Sequence, residues 1–208
     1  MHREWANITM GLKMNYDTWR VESLGSRWPW ENTQSLQLCL MDRYAQSLKT
    51  ELISGISSVV AEFELPLRIK IARSRTLNLI ESLLTECSLN GTIYCWRFLE
   101  TLSRKRQGER FLRTGLVIAF DGNERRLRDE SPYKRDEPPE WGWTQEDGLS
   151  LLRLTRGQPL RNLVRHEMGH LLGISLHHSN CVMSWECTKE KFCPKCKQMI
   201  LETCQVAN

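Results

Sequence analysis

The residues of this sequence that are best suited to chemistry lie together between Arg165 and Met183. His166, Glu167 and His170 form the pattern H-E-x-x-H. On a helix, residues four apart project from the same face, so the two imidazoles can share one metal ion while the carboxylate beside them handles a proton. A catalytic zinc ion takes three protein ligands and leaves a fourth position open. A third ligand must therefore come from elsewhere in the chain.

The segment after the second histidine can supply that third ligand. Gly173 can adopt the positive φ angle that ends a helix, which lets the chain turn back toward the metal. His177 and His178 follow in this loop, and either imidazole can provide the third nitrogen. Met183 lies a few residues further on. The predicted order is therefore helix, turn, histidine and methionine.

This order resembles the metzincin metallopeptidases, whose pattern is H-E-x-x-H-x-x-G-x-x-H followed by a Met-turn. Cys181, two residues before Met183, and the C-P-K-C of Cys193 to Cys196 resemble the archaemetzincin (archaelysin) branch, which carries a second, cysteine-bound zinc ion. The resemblance is specific over about the last fifty residues and schematic before them. It implies a compact metzincin-like zincin domain and a zinc-dependent peptidase activity.

The chain departs from the family pattern in the loop and in the cysteines. Leu176 stands where metzincins place the third histidine, so His177 fits that role if the loop holds one extra residue. His178 stands where the family usually has a cysteine, and Cys187 is an additional thiol before the C-P-K-C pair. His177 needs the smaller displacement from the family spacing. It is therefore the preferred third ligand, with His178 as the alternative.

The resemblance also implies a role for each residue of the catalytic centre. His166, His170 and His177 bind a zinc ion, which lowers the pKa of its water toward about 7 and polarises the scissile carbonyl. Glu167 takes the proton from that water as the general base and passes it to the leaving amine. Met183 is the structural Met-turn, which binds nothing and packs beneath the ligands. The expected substrate is a peptide or protein.

The cysteines predict a second metal site. Five of the eight lie from Cys181 onward. In a chain that is not exported, clustered thiols indicate zinc binding rather than disulfides, because the reducing cytosol keeps them free to ligate. A closed tetrahedron of four thiols is the simplest ligand set, and it consists of Cys181, Cys187, Cys193 and Cys196. In an alternative set His178 replaces Cys187. The expected cofactors are two Zn²⁺ ions, one catalytic and one structural.

A second hypothesis comes from a different class of protein. A zinc-ribbon-type module could bind nucleic acid through C-P-K-C and the basic clusters Arg104 to Arg106 and Arg125 to Arg128. A ribbon normally carries two Cys-x-x-Cys pairs and this chain has one, which makes nucleic acid the weaker expectation. A third hypothesis is a regulatory protein with a non-catalytic metal site. The presence of Glu167 argues against it, because such a site needs no general base.

Length and charge place further bounds on the protein. A chain of 208 residues is most simply one domain, residues 1–208, with a substantial core. Residues 1–173 would form an upper part that ends in the active-site helix, and residues 174–208 the His loop, the Met-turn and the Cys-rich zinc subdomain. The net charge of +4 does not by itself imply nucleic acid. No segment resembles a signal peptide or the roughly 20 apolar residues that cross a bilayer, so we expect a cytoplasmic protein without a membrane partner.

Hydrophobic periodicity predicts the elements that must position these residues. The predicted helices are Asp42 to Ala61, Thr76 to Cys87 and Thr92 to Lys105, and the predicted strands are Leu67 to Ile71, Leu116 to Phe120 and Gly148 to Thr155. The first strand alternates, which predicts one buried face, and the second is apolar throughout, which predicts two. The order strand, helices, strand favours a right-handed βαβ crossover and a parallel pair. The expected class is α/β (α+β), with a mixed sheet and an active-site helix.

The region just before the active-site helix is less regular. Residues 123–147 are polar and are predicted to be a long loop, in which Trp141 and Trp143 could line a cleft or, more simply, pin the loop to the body. The family resemblance implies that the strand Gly148 to Thr155 borders the cleft and pairs with an extended substrate. The active-site helix is expected to open near Pro159. No role is assigned to residues 1–41.

Overall fold

The computed structural model describes residues 35–108, 114–129, 141–145, 148–174, 177, 179–184 and 187–205. The strands in this part are β1 Ser35–Leu40, β2 Arg68–Ile71, β3 Ser88–Leu89, β4 Thr92–Tyr94, β5 Gly115–Asp121, β6 Arg126–Arg128, β7 Gly142–Gln145 and β8 Leu149–Leu154. The helices are α1 Arg43–Ser47, α2 Lys49–Glu62, α3 Ser74–Glu86, α4 Cys95–Gly108, α5 Leu160–Leu171 and α6 Pro194–Gln205. This content confirms the expected mixed α/β class.

Five strands form the main sheet in the order β2-β1-β5-β8-β7. The first four are parallel to one another, and β7 is antiparallel to β8. A second sheet of three short strands has the order β3-β4-β6. The predicted strands β2 and β5 are thus parallel members of one sheet, but they are not a pair, because β1 lies between them. The sequence S-L-Q-L-C-L of β1 falls in the stretch that had no predicted role.

Several predicted element boundaries need correction. The predicted helix Asp42 to Ala61 is divided at Leu48 into α1 and α2. The helix expected from Thr92 begins only at Cys95, because the first three residues form β4. The predicted loop 123–147 contains β6 and β7, with residues 130–140 and 146–147 outside the described part. Short strands of three or four polar residues carry too little periodicity to be detected in a sequence.

The expectation of one buried face for β2 is met only in part, because Leu67 and Ile69 pack half-buried against the core whereas the end of the strand is exposed. Ile71 is 40% exposed, and Ile69 on the same face is only half-buried. The alternation Leu, Ile, Ile is typical of a half-buried strand, but β2 lies at the end of the main sheet among the described strands. An outer strand has a neighbour on one side only, so fewer side chains cover it.

The core lies on both faces of the main sheet. On one face Leu36, Leu38 and Val117 pack in a cluster with α2 and α5, and on the other Cys39 and Ile118 pack in a cluster with α3 and α4. This alternation follows from the two-residue period of a strand. Helix α5 therefore packs against both the sheet and α2. A Cβ at Gly55 of α2 would lie 2.9 Å from Val164 Cγ1 of α5, so this glycine lets the two helices approach closely.

Trp143 belongs to the core rather than to a cleft. It is 5% exposed, and its ring meets that of Trp96 edge-on at a centroid distance of 5.6 Å. Trp141 is partly buried against the other cluster. The structure therefore supports the prediction that Trp141 and Trp143 hold their segment against the body of the protein. None of the described helices is both long and apolar enough to span a bilayer.

Candidate metal centres

The H-E-x-x-H pattern lies on α5, as predicted. The helix is preceded by Pro159 and ends at Leu171, and Gly173 has a φ angle of +90°. His166 and His170 are four residues apart and therefore project from one face. His166 is buried, whereas His170 is half-buried at the last turn of the helix. The local sequence thus places two imidazoles on a rigid element of the core.

Three imidazoles converge on one point, and we call His166, His170 and His177 the histidine centre. The Nε2 atom of His166 lies 3.0 Å from Nε2 of His170 and 3.3 Å from Nε2 of His177. Two nitrogen ligands of a tetrahedral zinc ion, each about 2.0 to 2.1 Å from the metal, lie about 3.3 Å apart. The three side chains therefore have the spacing of metal ligands. His178, the alternative third ligand, lies outside the described residues.

The other ring nitrogens show which atoms carry protons. Nδ1 of His166 lies 2.9 Å from the carbonyl oxygen of Val182, and Nδ1 of His170 lies 2.6 Å from that of Ile174. A carbonyl oxygen only accepts, so both Nδ1 atoms donate, and the lone pair of each neutral ring is on Nε2. Two lone pairs facing each other at 3.0 Å repel unless a cation lies between them. This arrangement fits a metal ion, with backbone carbonyls holding the ligands in orientation.

Glu167 follows the first histidine and lies against strand β7. Its side chain is buried, and the Thr144 hydroxyl lies 2.5 Å from its Oε2 atom. A Cβ at Gly142 would collide with the Glu167 carboxylate, and it would also lie 2.8 Å from Cγ of that side chain. The backbone of β7 therefore passes directly beside the predicted general base.

Met183 packs against the active-site helix, which agrees with its expected structural role. The side chain is fully buried. A Cβ at Gly169 would collide with the Met183 sulfur and lie 3.0 Å from Cε1 of Phe192. Gly169 lies between His166 and His170 in the sequence, so the methionine covers the helix just beside both ligands. A glycine inside a helix costs about 1 kcal/mol relative to alanine, and close packing of Met183 is the reason for it here.

Three thiols form a second group, the cysteine centre, which consists of Cys181, Cys193 and Cys196. Their sulfur atoms all lie within 4.8 Å of one another. The sulfurs of Cys181 and Cys196 are 3.6 Å apart, and two sulfur ligands of a tetrahedral zinc ion at about 2.3 Å lie about 3.8 Å apart. The backbone N–H of Cys193 donates to the Cys181 sulfur at 3.1 Å. The group therefore fits a second metal ion.

The thiols of the cysteine centre differ in their acidity. Burial alone would raise the pKa of Cys193, but hydrogen bonds from the backbone N–H and thiol of Cys196, from the Cys181 thiol and from the N–H of Lys195 lower it below its usual value. Burial and then the neighbouring thiols of Cys193 and Cys181 raise the pKa of Cys196 well above its usual range. Without a cation, one thiolate at this point disfavours the next.

Cys187, the fourth thiol of the expected set, is not part of this group. It is buried, with a φ angle of +49°, and burial followed by the negative charge of Glu167 raises the pKa of its thiol to about 12. The spacing of the cysteines alone could not separate it from the other three. The alternative fourth ligand, His178, lies outside the described residues.

The residues 181–183 connect the two centres. Cys181 belongs to the cysteine centre, the carbonyl of Val182 accepts from His166, and Met183 packs on α5. The N–H of Val182 donates to the carbonyl of Lys191 at 2.8 Å, which ties this segment to the chain leading into α6. Cys181 of the cysteine centre and Val182, whose carbonyl accepts from the histidine centre, are therefore consecutive residues.

A charged network surrounds Arg165 of α5. Arg165, which is 6% exposed, donates to Glu62 and, at 2.9 Å, to the Ser58 hydroxyl. It also donates to the carbonyl of Glu190 at 2.8 Å. Glu62 forms a second ion pair, at 2.8 Å, with Lys197 of α6. This network joins α2, the active-site helix and the cysteine-bearing segment.

Sequence reasoning missed the residues that support the two centres. Thr144, Gly142, Gly169, Arg165 and Glu62 were not identified as site residues. The glycine in the middle of α5 was a usable signal, since glycine inside a helix usually has a packing reason. The other four contact their partners across long separations in the chain, as Glu62 and Arg165 do at 103 positions apart, and carry no local pattern.

Comparisons with protein-family models, with curated proteins and with solved structures find no match to this chain. The function must therefore be argued from the chemistry of the two centres.

Proposed function

We propose that this protein is a zinc-dependent peptidase, with a catalytic zinc ion on the histidine centre and a structural zinc ion on the cysteine centre. The observation that carries the proposal is the convergence of three Nε2 atoms, two of them on rings whose Nδ1 atoms donate to backbone carbonyls. Two of its three histidines, His170 and His177, are half-buried and not fully enclosed, which suits a site that must admit a substrate. A glutamate follows the first ligand directly, as water activation requires.

The chemistry assigned to the side chains is hydrolysis of an amide bond. A zinc ion bound at the histidine centre supplies Lewis acidity toward a carbonyl oxygen and toward water. Glu167 accepts a proton from the attacking water at its carboxylate, while a bond forms between the water oxygen and the carbonyl carbon. The same carboxylate then gives that proton to the nitrogen of the leaving amine, as the bond from carbon to nitrogen breaks.

The position of β7 supports a peptide as the substrate. The strand before the active-site helix, β8, is paired on both sides, with β5 and with β7, so it has no open edge for the expected pairing with a substrate. The strand beside Glu167 is β7, which is the last strand of the main sheet among those described. An extended peptide can add to such an edge through backbone hydrogen bonds. We therefore propose that the substrate pairs with β7, and not with β8.

The nucleic-acid hypothesis has less support from the described residues. In its two basic clusters, Arg125 pairs with Glu81 at 2.6 Å, and Arg106 donates to the carbonyl of Thr114 at 3.4 Å. The cysteine centre contains one Cys-x-x-Cys pair and a single additional thiol from the described residues. Both observations suit a structural metal site within the fold better than a ribbon that presents its surface to a nucleic acid.

The test combines metal content with hydrolysis of a mixture of unstructured peptides, analysed by mass spectrometry. In Glu167→Gln we expect kcat to fall at least about a hundredfold, because the general base is lost while the metal ligands remain. Both zinc ions should be retained. The matched control is Glu86→Gln, which changes an exposed glutamate at the end of α3 and should leave kcat unchanged. Equal hydrolysis in Glu167→Gln and wild type would refute the proposed mechanism.

A second variant separates a catalytic metal from a merely bound one. His177→Ala should reduce the zinc content from two ions per chain to one and abolish hydrolysis. One ion in both proteins, without hydrolysis and with salt-dependent binding to DNA, would support the nucleic-acid hypothesis instead.

A further inference from the structure

We infer that Thr144 and Ser150, together with Gly142, fix the orientation of the Glu167 carboxylate and are positioning residues for the general base. The inference rests on the proposed function in assigning that base to Glu167. It adds three residues that lie on β7 and β8, outside the H-E-x-x-H pattern and the cysteine motif. The evidence is a chain of hydrogen bonds and one close backbone approach.

The hydrogen bonds run in one direction. The Thr144 hydroxyl lies 2.5 Å from Oε2 of Glu167 and 2.8 Å from the Ser150 hydroxyl. An ionised carboxylate only accepts, and a hydroxyl has a single hydrogen. Thr144 therefore donates to Glu167 and accepts from Ser150. The serine is fully buried, so its hydroxyl hydrogen has no competing contact with solvent.

The sheet itself holds this chain of donors in place. Thr144 of β7 and Ser150 of β8 are directly opposite each other in the antiparallel ladder. Their separation is set by backbone pairing rather than by a loop. Such directly opposed side chains have their Cβ atoms about 4.5 to 5.5 Å apart, within reach of a hydroxyl–hydroxyl hydrogen bond. The donor to Glu167 is thus placed before any substrate arrives, which is how a catalytic group is preorganised.

Gly142 supplies the space that the second oxygen needs. It lies two residues before Thr144, so both positions face the same side of β7. A Cβ at Gly142 would collide with Oε1 and Cδ of Glu167. The threonine therefore holds one carboxylate oxygen, and the glycine makes room for the other. Since α5 and β7 are both fixed in the fold, the carboxylate has one position between them.

Removing the hydroxyl while keeping the shape tests this inference. Thr144→Val retains the branched side chain that suits a strand but loses the donor. With zinc-loaded protein we expect kcat to fall about tenfold to a hundredfold and KM to change by less than about twofold, because the change affects the reacting carboxylate rather than substrate binding. Thr144→Ser restores a hydroxyl and should recover kcat to within about threefold of wild type. Thr92→Val, on the second sheet, is the matched control and should leave both constants unchanged.

A second measurement does not depend on hydrolysis. Denaturant midpoints of zinc-loaded wild type, Thr144→Val, Glu167→Gln and the double variant form a double-mutant cycle. The shift caused by Thr144→Val should be smaller in the Glu167→Gln background, because a neutral amide oxygen then accepts the hydrogen bond in place of the charged carboxylate and the contact is weaker. Additive shifts, or an unchanged kcat in Thr144→Val, would overturn the inference. Coupling in the cycle without hydrolysis by wild type would instead refute the proposed function and leave the contact established.

Discussion

The histidine centre and the cysteine centre are adjacent in the chain but are held in different ways. Two ligands of the histidine centre lie on one helix, and backbone carbonyls fix their Nδ1 atoms. The ligands of the cysteine centre come from a turn, at Cys181, and from the residues that begin α6, at Cys193 and Cys196. The first set is positioned by a core helix. The second depends much more on what its ligands bind.

The two centres also differ in their access to solvent. In the histidine centre two of three ligands are half-buried, whereas in the cysteine centre Cys181 and Cys196 are fully buried. An open position is what a catalytic zinc ion needs, and a structural zinc ion is enclosed by its ligands. The difference in burial therefore agrees with the roles proposed for them.

The acidity of the thiols gives a physical reason why the cysteine centre would depend on a bound metal ion. The pKa of Cys193 is lowered by hydrogen bonds that outweigh its burial, while burial and the other thiols raise that of Cys196. A divalent cation removes this conflict, because it binds the thiolates together and releases their protons. Imidazoles bind a metal as neutral ligands, so in the histidine centre lone pairs, and not thiolate charges, are brought together.

The largest expected effect is a difference in how much stability the protein loses when each centre loses its metal ion. Cys196→Ser should lose one zinc ion and lower the free energy of unfolding by several kcal/mol, because the fold of the last segment depends on that metal. His170→Ala should lose the other ion at a cost of only about 1 to 2 kcal/mol, since α5 stays packed in the core. Elemental analysis and chemical unfolding measure both. Equal losses of stability would remove the distinction between the centres.

The next effect concerns the charged network beside them. Glu62→Gln should lower the free energy of unfolding by about 2 to 3 kcal/mol, because the buried Arg165 loses the charge of its ion-pair partner, while Glu62 itself is partly exposed. Glu81→Gln is the control. It removes the more exposed ion pair with Arg125 and should cost about 0 to 1 kcal/mol.

The Glu62→Gln variant should also change how stability depends on pH. Burial alone would raise the pKa of Glu62, but hydrogen bonds from Lys197 and Arg165, and their charges, lower it below its ordinary value of 4.5. A lowered folded-state pKa stabilises the protein above that ordinary value, and the contribution is lost as the pH falls through the folded-state pKa. Wild type should therefore lose stability below about pH 4.5 more steeply than Glu62→Gln. Parallel curves would contradict this assignment.

The smallest effect tests the packing between the centres. Gly169→Ala gains about 1 kcal/mol of helix propensity but forces the new Cβ against the buried Met183 and Phe192, at a cost of about 1 to 3 kcal/mol. We expect a net loss of about 1 kcal/mol in the unfolding free energy and weaker zinc binding at the histidine centre only. Arg161→Ala, at an exposed position of α5, is the control. A stabilised Gly169→Ala protein would show that Met183 repacks freely.

Local sequence was sufficient for the parts of the molecule that depend on near neighbours. The i, i+4 spacing of His166 and His170, the turn at Gly173 and the return of His177 all lie within twelve residues, and the structure brings the three histidines together in one group. The strands β5 and β8 and the helices α2 and α3 were predicted from periodicity, with errors at their ends. The predicted fourth ligand of the cysteine centre, Cys187, lies outside the group, because spacing alone treats this residue like its neighbours.

The sequence by itself determined which side chains could bind metal and which segments are helices or strands, because both follow from contacts a few residues apart. Only the tertiary structure decided that β1 lies between β2 and β5, that β7 rather than β8 lies beside Glu167, and that Arg165 meets Glu62. These contacts join residues far apart in the chain, and their partners are selected by burial, register and charge across the assembled core. Hydrophobic periodicity within one segment of the sequence therefore does not predict these partners.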